Sequence, residues 1–234
     1  MDIQSCVGRQ EVQYDIADPQ RMLRLAAMLD HDVPPWDPNV LPPLGHWLCF
    51  QPQARQSLIG PDGHPLRTDE GLLPNVDLPR RMWAGSRIRF LGDISLGAAI
   101  VRTSTLTAAT PKSGHSGNML FVTVRHEIAQ AGAEPAIVEE QDIVYRAAVA
   151  PGTKVTRPVT EAGDPDPITR QIAPDSVMLF RYSALTFNSH RIHYDRAYCC
   201  DVEGYPSLVI HGPLLATLLL DHLLRQRPPA RVTS

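Results

Sequence analysis

Residues 207–224 run Ser207-Leu208-Val209-Ile210-His211-Gly212-Pro213-Leu214-Leu215-Ala216-Thr217-Leu218-Leu219-Leu220-Asp221-His222-Leu223-Leu224. A short strand is expected over Leu208 to Ile210, running into an apolar helix through Gly-Pro. Proline suits the first helical turn, where its missing N–H has no intrahelical partner in any case, and glycine lets another group approach the backbone closely. The spacing predicts a helix over 214–224, with Arg225 and Arg227 at its negative end and Pro228-Pro229 stopping it. That helix is apolar on almost every side, so it belongs under a sheet. Its N-terminus offers free N–H groups and partial positive charge, which suits a carbonyl oxygen gaining negative charge. The plainer alternative is an ordinary strand–helix junction.

The sheet is expected upstream. Arg87 to Leu91, Ala98 to Leu106, Met119 to Ile128 and Ile137 to Tyr145 are the candidate strands. Leu120, Val122, Val124, His126 and Ile128 fall on one face of the third, with Thr123, Arg125 and Glu127 on the other. Turn chemistry at Lys112 to Asn118 and Ala131 to Pro135 joins the last three as a meander. Nearer the N-terminus, Asp18-Pro19 starts a helix carrying Met22, Leu25, Ala26 and Leu29, and a run of prolines from Pro34 stops it. Leu44 to Phe50 is a candidate second, short helix, residues 51–79 read as a long loop, and residues 147–173 read as a linker. Beyond the linker, Val177 to Tyr182 is a candidate strand and 188–202 a polar turn or helix.

Composition narrows the function. The 234 residues carry 22 Lys and Arg against 25 Asp and Glu, a net charge of −3 without a basic block, so no nucleic-acid partner is expected. No stretch approaches the roughly 20 apolar residues of a membrane span, and Met1-Asp2-Ile3-Gln4 has neither the basic nor the apolar region of a signal peptide. Cys6, Cys49, Cys199 and Cys200 form no CxxC pair and no disulfide framework, which points to the cytoplasm. There is no GxGxxG, no P-loop and no Gly-x-Ser-x-Gly elbow.

The densest chemistry is Phe187-Asn188-Ser189-His190-Arg191-Ile192-His193-Tyr194-Asp195. Imidazole titrates near working pH and suits proton transfer, and the neighbouring amide can hold a water without adding charge. The plainer alternative is a polar turn whose His193 and Asp195 are solvated or capping groups. His190, His193 and Asp195 lack the more distant ligand of a zinc site, so no metal is expected. His46, His115 and His126 are scattered and read as structural.

The 187–195 segment, followed by Glu203-Gly204-Tyr205-Pro206 and His211-Gly212-Pro213, resembles the C-terminal half of MaoC-like, hydratase-2-type enoyl-thioester hydratases and dehydratases. It is most similar to the branch of mesaconyl-C4-CoA hydratases and mitochondrial type 2 3-hydroxyacyl-thioester dehydratases. Leu41-Pro42-Pro43-Leu44-Gly45-His46-Trp47, Arg80-Arg81-Met82-Trp83-Ala84-Gly85 and Gln141-Asp142-Ile143-Val144-Tyr145-Arg146 resemble the same branch.

The resemblance implies an α+β double hot-dog fold, a long helix wrapped by a curved antiparallel sheet in each unit. It implies a degenerate N-terminal unit over 1–150, a linker over 151–173 and a C-terminal unit over 174–234 carrying the catalytic segment. Only Pro228 to Ser234 follow the last helix, too few for two strands of ~5–6 residues, so a truncated second unit is expected. The family's Asp-x-Asn-x-x-His reads Asn188-Ser189-His190-Arg191-Ile192-His193 here, with Asn in place of Asp and His in place of Asn. The implied activity is hydration of a short branched or dicarboxylic enoyl-CoA. His193 would act as general base, Asn188 would position the water and the Gly212 N–H would stabilise the oxyanion. His190, His211, Arg191 and Arg181 are candidate substrate contacts. No cofactor is expected beyond the CoA of the substrate, no membrane partner, and a homodimer is expected. The alternatives are a non-catalytic acyl-thioester-binding or scaffold hot-dog protein and, third, a hot-dog thioesterase.

Overall fold

The computed structural model describes residues 3–114, 117–148, 168–226 and 232–233. His115 and linker residues 151–167 lie outside the described residues. Helix α1 spans Pro19–Met28, and Asp18 caps it, its carboxylate accepting from the Gln20 N–H at 2.8 Å. The strands are β1 (Gln10–Ile16), β2 (Arg80–Phe90), β3 (Ala99–Gly114), β4 (Gly117–Gln130) and β5 (Ile137–Arg146). They form one antiparallel sheet in the order β1-β3-β4-β5-β2. The expected meander is β3-β4-β5, and the alternation in β4 holds: Leu120, Val122, Val124, His126 and Ile128 are all buried. Two helices complete the fold, α2 (Ser176–Thr186) and α3 (Gly212–Gln226).

The structure corrects several expectations. Val177 to Tyr182 is not a strand but the body of α2. A short apolar run has no period to separate strand from helix, and here the Asp175 carboxylate caps the Met178 N–H at 2.8 Å and starts a helix. Leu208 to Ile210 joins no ladder; Val209 donates its N–H to Ile192 O at 3.0 Å instead, because the sheet edges are β1 and β2. Leu44 to Phe50 forms only a 3₁₀ turn at Gly45–Leu48. β1 went unforeseen. Its apolar row, Val12, Tyr14 and Ile16, faces solvent at 50%, 78% and 53% exposure.

One core joins α1 (Met22, Leu25, Met28), the sheet (Ile100, Ile128, Ile137), α2 (Leu179, Tyr182, Leu185) and α3 (Leu214, Leu218). Each buried aliphatic side chain contributes about 1.5–3 kcal/mol. A second cluster, Leu106, Leu120, Val122, Val124 and Tyr145, packs beneath Leu72, Leu73, Val76 and Leu78 of the long loop. Among the described residues α3 is covered on one side only. Leu214 and Leu218 are buried, while Leu215, Leu219 and Leu223 are exposed, Leu219 to 72%. Among the described residues no strand follows α3; Thr233 accepts from the Phe90 N–H at 2.9 Å. No described helix is long and apolar enough to cross a membrane. All four cysteines are free thiols.

Two polar anchors set the helices. Asp221 is 2% exposed and meets His31 Nε2 at 2.5 Å, Arg170 at 2.8 Å and Arg225 at 2.9 Å. Glu139 on β5, equally buried, meets His46 Nε2 at 3.1 Å, Trp47 Nε1 at 3.1 Å and Ser86 Oγ at 2.5 Å. Ser86 in turn accepts from Trp83 Nε1 at 3.2 Å.

The long loop is fastened to the histidine segment. Arg191 N–H donates to Asp62 O at 2.9 Å, Arg191 Nη1 to Pro61 O at 3.0 Å, and Ser189 Oγ to Gly63 O at 2.5 Å. Gly63 has φ +91°, and a Cβ there would lie 1.8 Å from Ser189 O. Gly63→Ala is therefore expected to cost at least ~2 kcal/mol in urea unfolding, combining backbone strain with a backbone clash. Gly132→Ala, at φ +80° with nothing within 4 Å, carries the strain alone and should cost about 1 kcal/mol. Equal losses in the two variants would show that the docking contact contributes nothing.

Candidate active site

The segment after α2 turns sharply at Phe187, in the left-handed conformation at φ 51°, and enters a 3₁₀ turn at Arg191–His193. This places His190 and His193 near the mouth of α3. The His190 ring lies 5.4 Å from that of His193, nearly perpendicular, and His193 stacks on His211 with centroids 3.6 Å apart. His193 Nδ1 lies 2.7 Å from Val209 O. Nδ1 must therefore carry the proton, which leaves Nε2 with its lone pair. His211 Nε2 pairs with Ser183 Oγ at 2.9 Å, and among the described residues its Nδ1 is buried without a partner.

The row continues onto the long loop. His64 packs on His190 with centroids 4.0 Å apart, and its Nδ1 donates to Asp62 Oδ2 at 2.8 Å. Asp62, His64 and His190 present ligand atoms within 4.8 Å of one another, enough to hold a cation. In the structure these groups instead engage each other.

A cavity of about 520 Å³ is lined by Asn188, His190, His193, His211, Gly212 and Pro213 together with His64, Arg81 and Trp83. Two further cavities, of about 400 and 500 Å³, adjoin it, and His64 and Arg81 border all three. Gly212 opens α3, and a Cβ there would lie 2.3 Å from the Trp83 ring, so the close approach of the indole demands glycine. The first-turn N–H groups of α3 have no intrahelical acceptor. Asn188 Oδ1 accepts from the His190 N–H at 3.0 Å, which leaves the amide NH₂ as its donating end.

Sequence and geometry agree in bringing Asn188, His190, His193, His211 and Gly212 to one crevice. They part over the arginines. Arg191 is bound to Asp195 at 2.7 Å and lies over the Tyr198 ring, and Arg181 is exposed on α2; neither lines the three cavities. Asp62, His64 and Arg67 were not foreseen, and Arg81 and Trp83, which lie in the Arg80–Gly85 block that carries the resemblance, were not assigned to the site. For the first two, the turn Gly60-Pro61-Asp62-Gly63-His64 carried a signal, a carboxylate and an imidazole two residues apart.

Electrostatics favour neutral imidazoles. Burial pulls His193 down to about 4, against a weaker upward pull from Val209 O. Burial and the neighbouring imidazole of His193 pull His211 to about 3. Burial, then His64 and His193, pull His190 to about 2. Burial is also the main cause for His64, opposed by Asp62. Asp62 lies at about 2, because its hydrogen bonds and charge contact with His64 outweigh burial.

The comparisons agree with this architecture. The model of the family described as Hydroxyacyl-thioester dehydratase type 2 matches residues 44–234. The chain is 46% identical over 223 residues to mesaconyl-C(4)-CoA hydratase of Chloroflexus aurantiacus, covering 94% of this chain and 78% of that protein. It is 26% identical over 205 residues to the mitochondrial hydroxyacyl-thioester dehydratase type 2 of Schizosaccharomyces pombe, covering 78% of this chain and 66% of that protein. Among solved structures, a MaoC-like dehydratase superposes with TM-score 0.62 at 13% identity, over 94% of this chain and 78% of that one. HtdX of Mycobacterium tuberculosis superposes with TM-score 0.60 at 16% identity, over 95% and 79%. An antiparallel sheet with helices and these neighbours define the class as proteins of the hot-dog fold. Within that class, the chain belongs to the hydroxyacyl-thioester dehydratase type 2 family.

The depressed histidines set a pH dependence of stability. An imidazole whose folded value lies below its ordinary 6.5 binds fewer protons folded than unfolded, so stability rises with pH across that interval. The melting temperature should therefore fall as pH drops from 7 to 5, before the carboxylates titrate. A flat profile over that range would contradict neutral, buried imidazoles.

Proposed function

We propose that the chain adds water across the α,β double bond of a short branched or dicarboxylic enoyl-CoA and catalyses the reverse dehydration. The observation that carries this reading is the His193 tautomer. With Nδ1 committed to Val209 O, Nε2 is a neutral base in the cavity that also holds the start of α3. In the hydration direction, His193 Nε2 takes a proton from water as the water oxygen bonds to the β-carbon. The π electrons move onto the thioester oxygen, giving an enolate held by the Gly212 N–H. The imidazolium then returns its proton to the α-carbon. An oxyanion donor of this kind contributes roughly 2.7–4 kcal/mol to the barrier. The Asn188 amide orients the attacking water without competing for its proton, and His190 and His211 wall the crevice. No step needs a cofactor beyond the CoA carried by the substrate.

The relative named mesaconyl-C(4)-CoA hydratase supports a branched dicarboxylic acyl group. The division into an N-terminal unit over 1–150 and a C-terminal unit from 174 follows the element order, with all five strands in the first, while α2 and α3 of the second pack on that same sheet. Asn188 in place of Asp favours the second reading, a protein that binds acyl thioesters without turning them over. Loss of enoyl-CoA absorbance in the ultraviolet separates the two, because binding without loss selects the scaffold. His193→Ala should lower turnover by roughly 10²–10⁴-fold, and full activity in that variant would remove His193 from the chemistry. A cytoplasmic homodimer is our expectation for its place and assembly, and a compact monomer in size-exclusion chromatography would contradict the dimer.

A further inference from the structure

Arg81 on β2 sits directly opposite Tyr145 on β5 in the ladder, and the Arg67 guanidinium from the long loop lies over the Tyr145 ring, 5.0 Å from its centroid. Arg67 Nη2 donates to Leu78 O at 3.2 Å, but among the described residues Arg67 Nη1 and the Tyr145 hydroxyl are buried without a hydrogen bond of normal geometry, although both guanidiniums bear on that hydroxyl electrostatically. Neither Arg67 nor Arg81 meets a carboxylate within 4.0 Å among the described residues. Nearby arginines are neutralised, Arg80 by Glu203 at 2.6 Å and Arg191 by Asp195 at 2.7 Å. Asp62, the carboxylate on this side, has both oxygens engaged by His64, at its N–H and at Nδ1. Buried donors without acceptors are costly, and a planar guanidinium matches a two-oxygen anion. Burial holds Arg81 below its ordinary value; Tyr145 and Asp62 oppose that shift and Arg67 adds to it.

We propose that Arg81, Arg67 and the Tyr145 hydroxyl form a receptor for an anionic oxygen group of the substrate, and that this group is a free carboxylate on the acyl chain. The proposal rests on the enoyl-thioester reading above and names the substrate within it. The same anion chemistry is present in the CoA phosphates. The carboxylate is favoured by position, because Arg81 borders both the cavity that holds His193 and Gly212 and the adjoining cavity that Arg67 lines. A short dicarboxylic acyl group places its carboxylate a few bonds from the double bond, whereas the pantetheine arm holds the phosphates many bonds away.

The test compares kcat/KM for a four-carbon enoyl thioester bearing a terminal carboxylate with its methyl-ended counterpart, each as the CoA and the N-acetylcysteamine thioester. Arg81→Met and Arg67→Met should lower the preference for the carboxylated chain by roughly 10²-fold on both carriers. Arg81→Lys, which keeps the charge and guards against a folding failure, should lower it less. An equal loss for both chains overturns the proposal. A loss confined to CoA thioesters assigns the anion to the phosphates and overturns the acyl selectivity. If the wild-type protein hydrates none of these thioesters, the enoyl-thioester reading fails by itself. The receptor is then read by calorimetric binding of fumarate at fixed ionic strength: binding by wild type that is lost in Arg81→Met supports it, and no binding or an unchanged affinity overturns it.

Discussion

The site depends on a buried carboxylate that performs no chemistry. Glu139 stays charged at 2% exposure because the hydrogen bonds from His46 and Ser86 outweigh the effect of burial and hold it at about 2. Desolvating such an ion costs several kcal/mol unless every partner is in place. Its partners reach outward in series: His46 and Trp47 fix the 3₁₀ turn at 45–48 to the sheet, and Ser86 holds the indole of Trp83. That ring presses on Gly212, where α3 begins. The position of the helix mouth, and with it the donor offered to a thioester oxygen, follows from how Glu139 is satisfied.

The cavities combine two environments that would conflict if they met directly. Imidazoles from His64 to His211 are kept neutral by burial and mutual proximity. The guanidinium of Arg81 borders the same space and helps to depress His64. A neutral base serves proton abstraction, and a fixed cation serves anion binding. Asp62 stands between them, offsetting part of the positive field while orienting His64.

Local chemistry was the legible part of the fold. The Asp18-Pro19 helix start, the alternation in β4 and the Gly-Pro opening of α3 each depend on neighbours within a few residues. α2 was misread because Val177 to Tyr182 is too short to show a period, and its capping carboxylate, Asp175, decides the matter from outside the run. β1 was missed because its apolar row points to solvent rather than into the core. In the site, Asn188, His190, His193, His211 and Gly212 lie within 25 positions, so their convergence could be read from the chain. Asp62, His64, Arg67 and Arg81 arrive from more than 100 positions away, and no pattern along the chain announces such a meeting. Arg181 and Arg191 show the reverse limit, since a charge in sequence does not say which side of a helix or turn it will occupy.

The bond from Ser189 to the carbonyl of Gly63 spans 126 positions. Hairpins such as β3-β4 and β4-β5 close short loops and are rewarded early, whereas a contact of that separation must overcome a large closure entropy first. A newly made chain therefore completes its meander before it owns a reaction chamber. A molecule arrested between those two stages would carry a nearly complete sheet and full secondary structure yet be chemically inert.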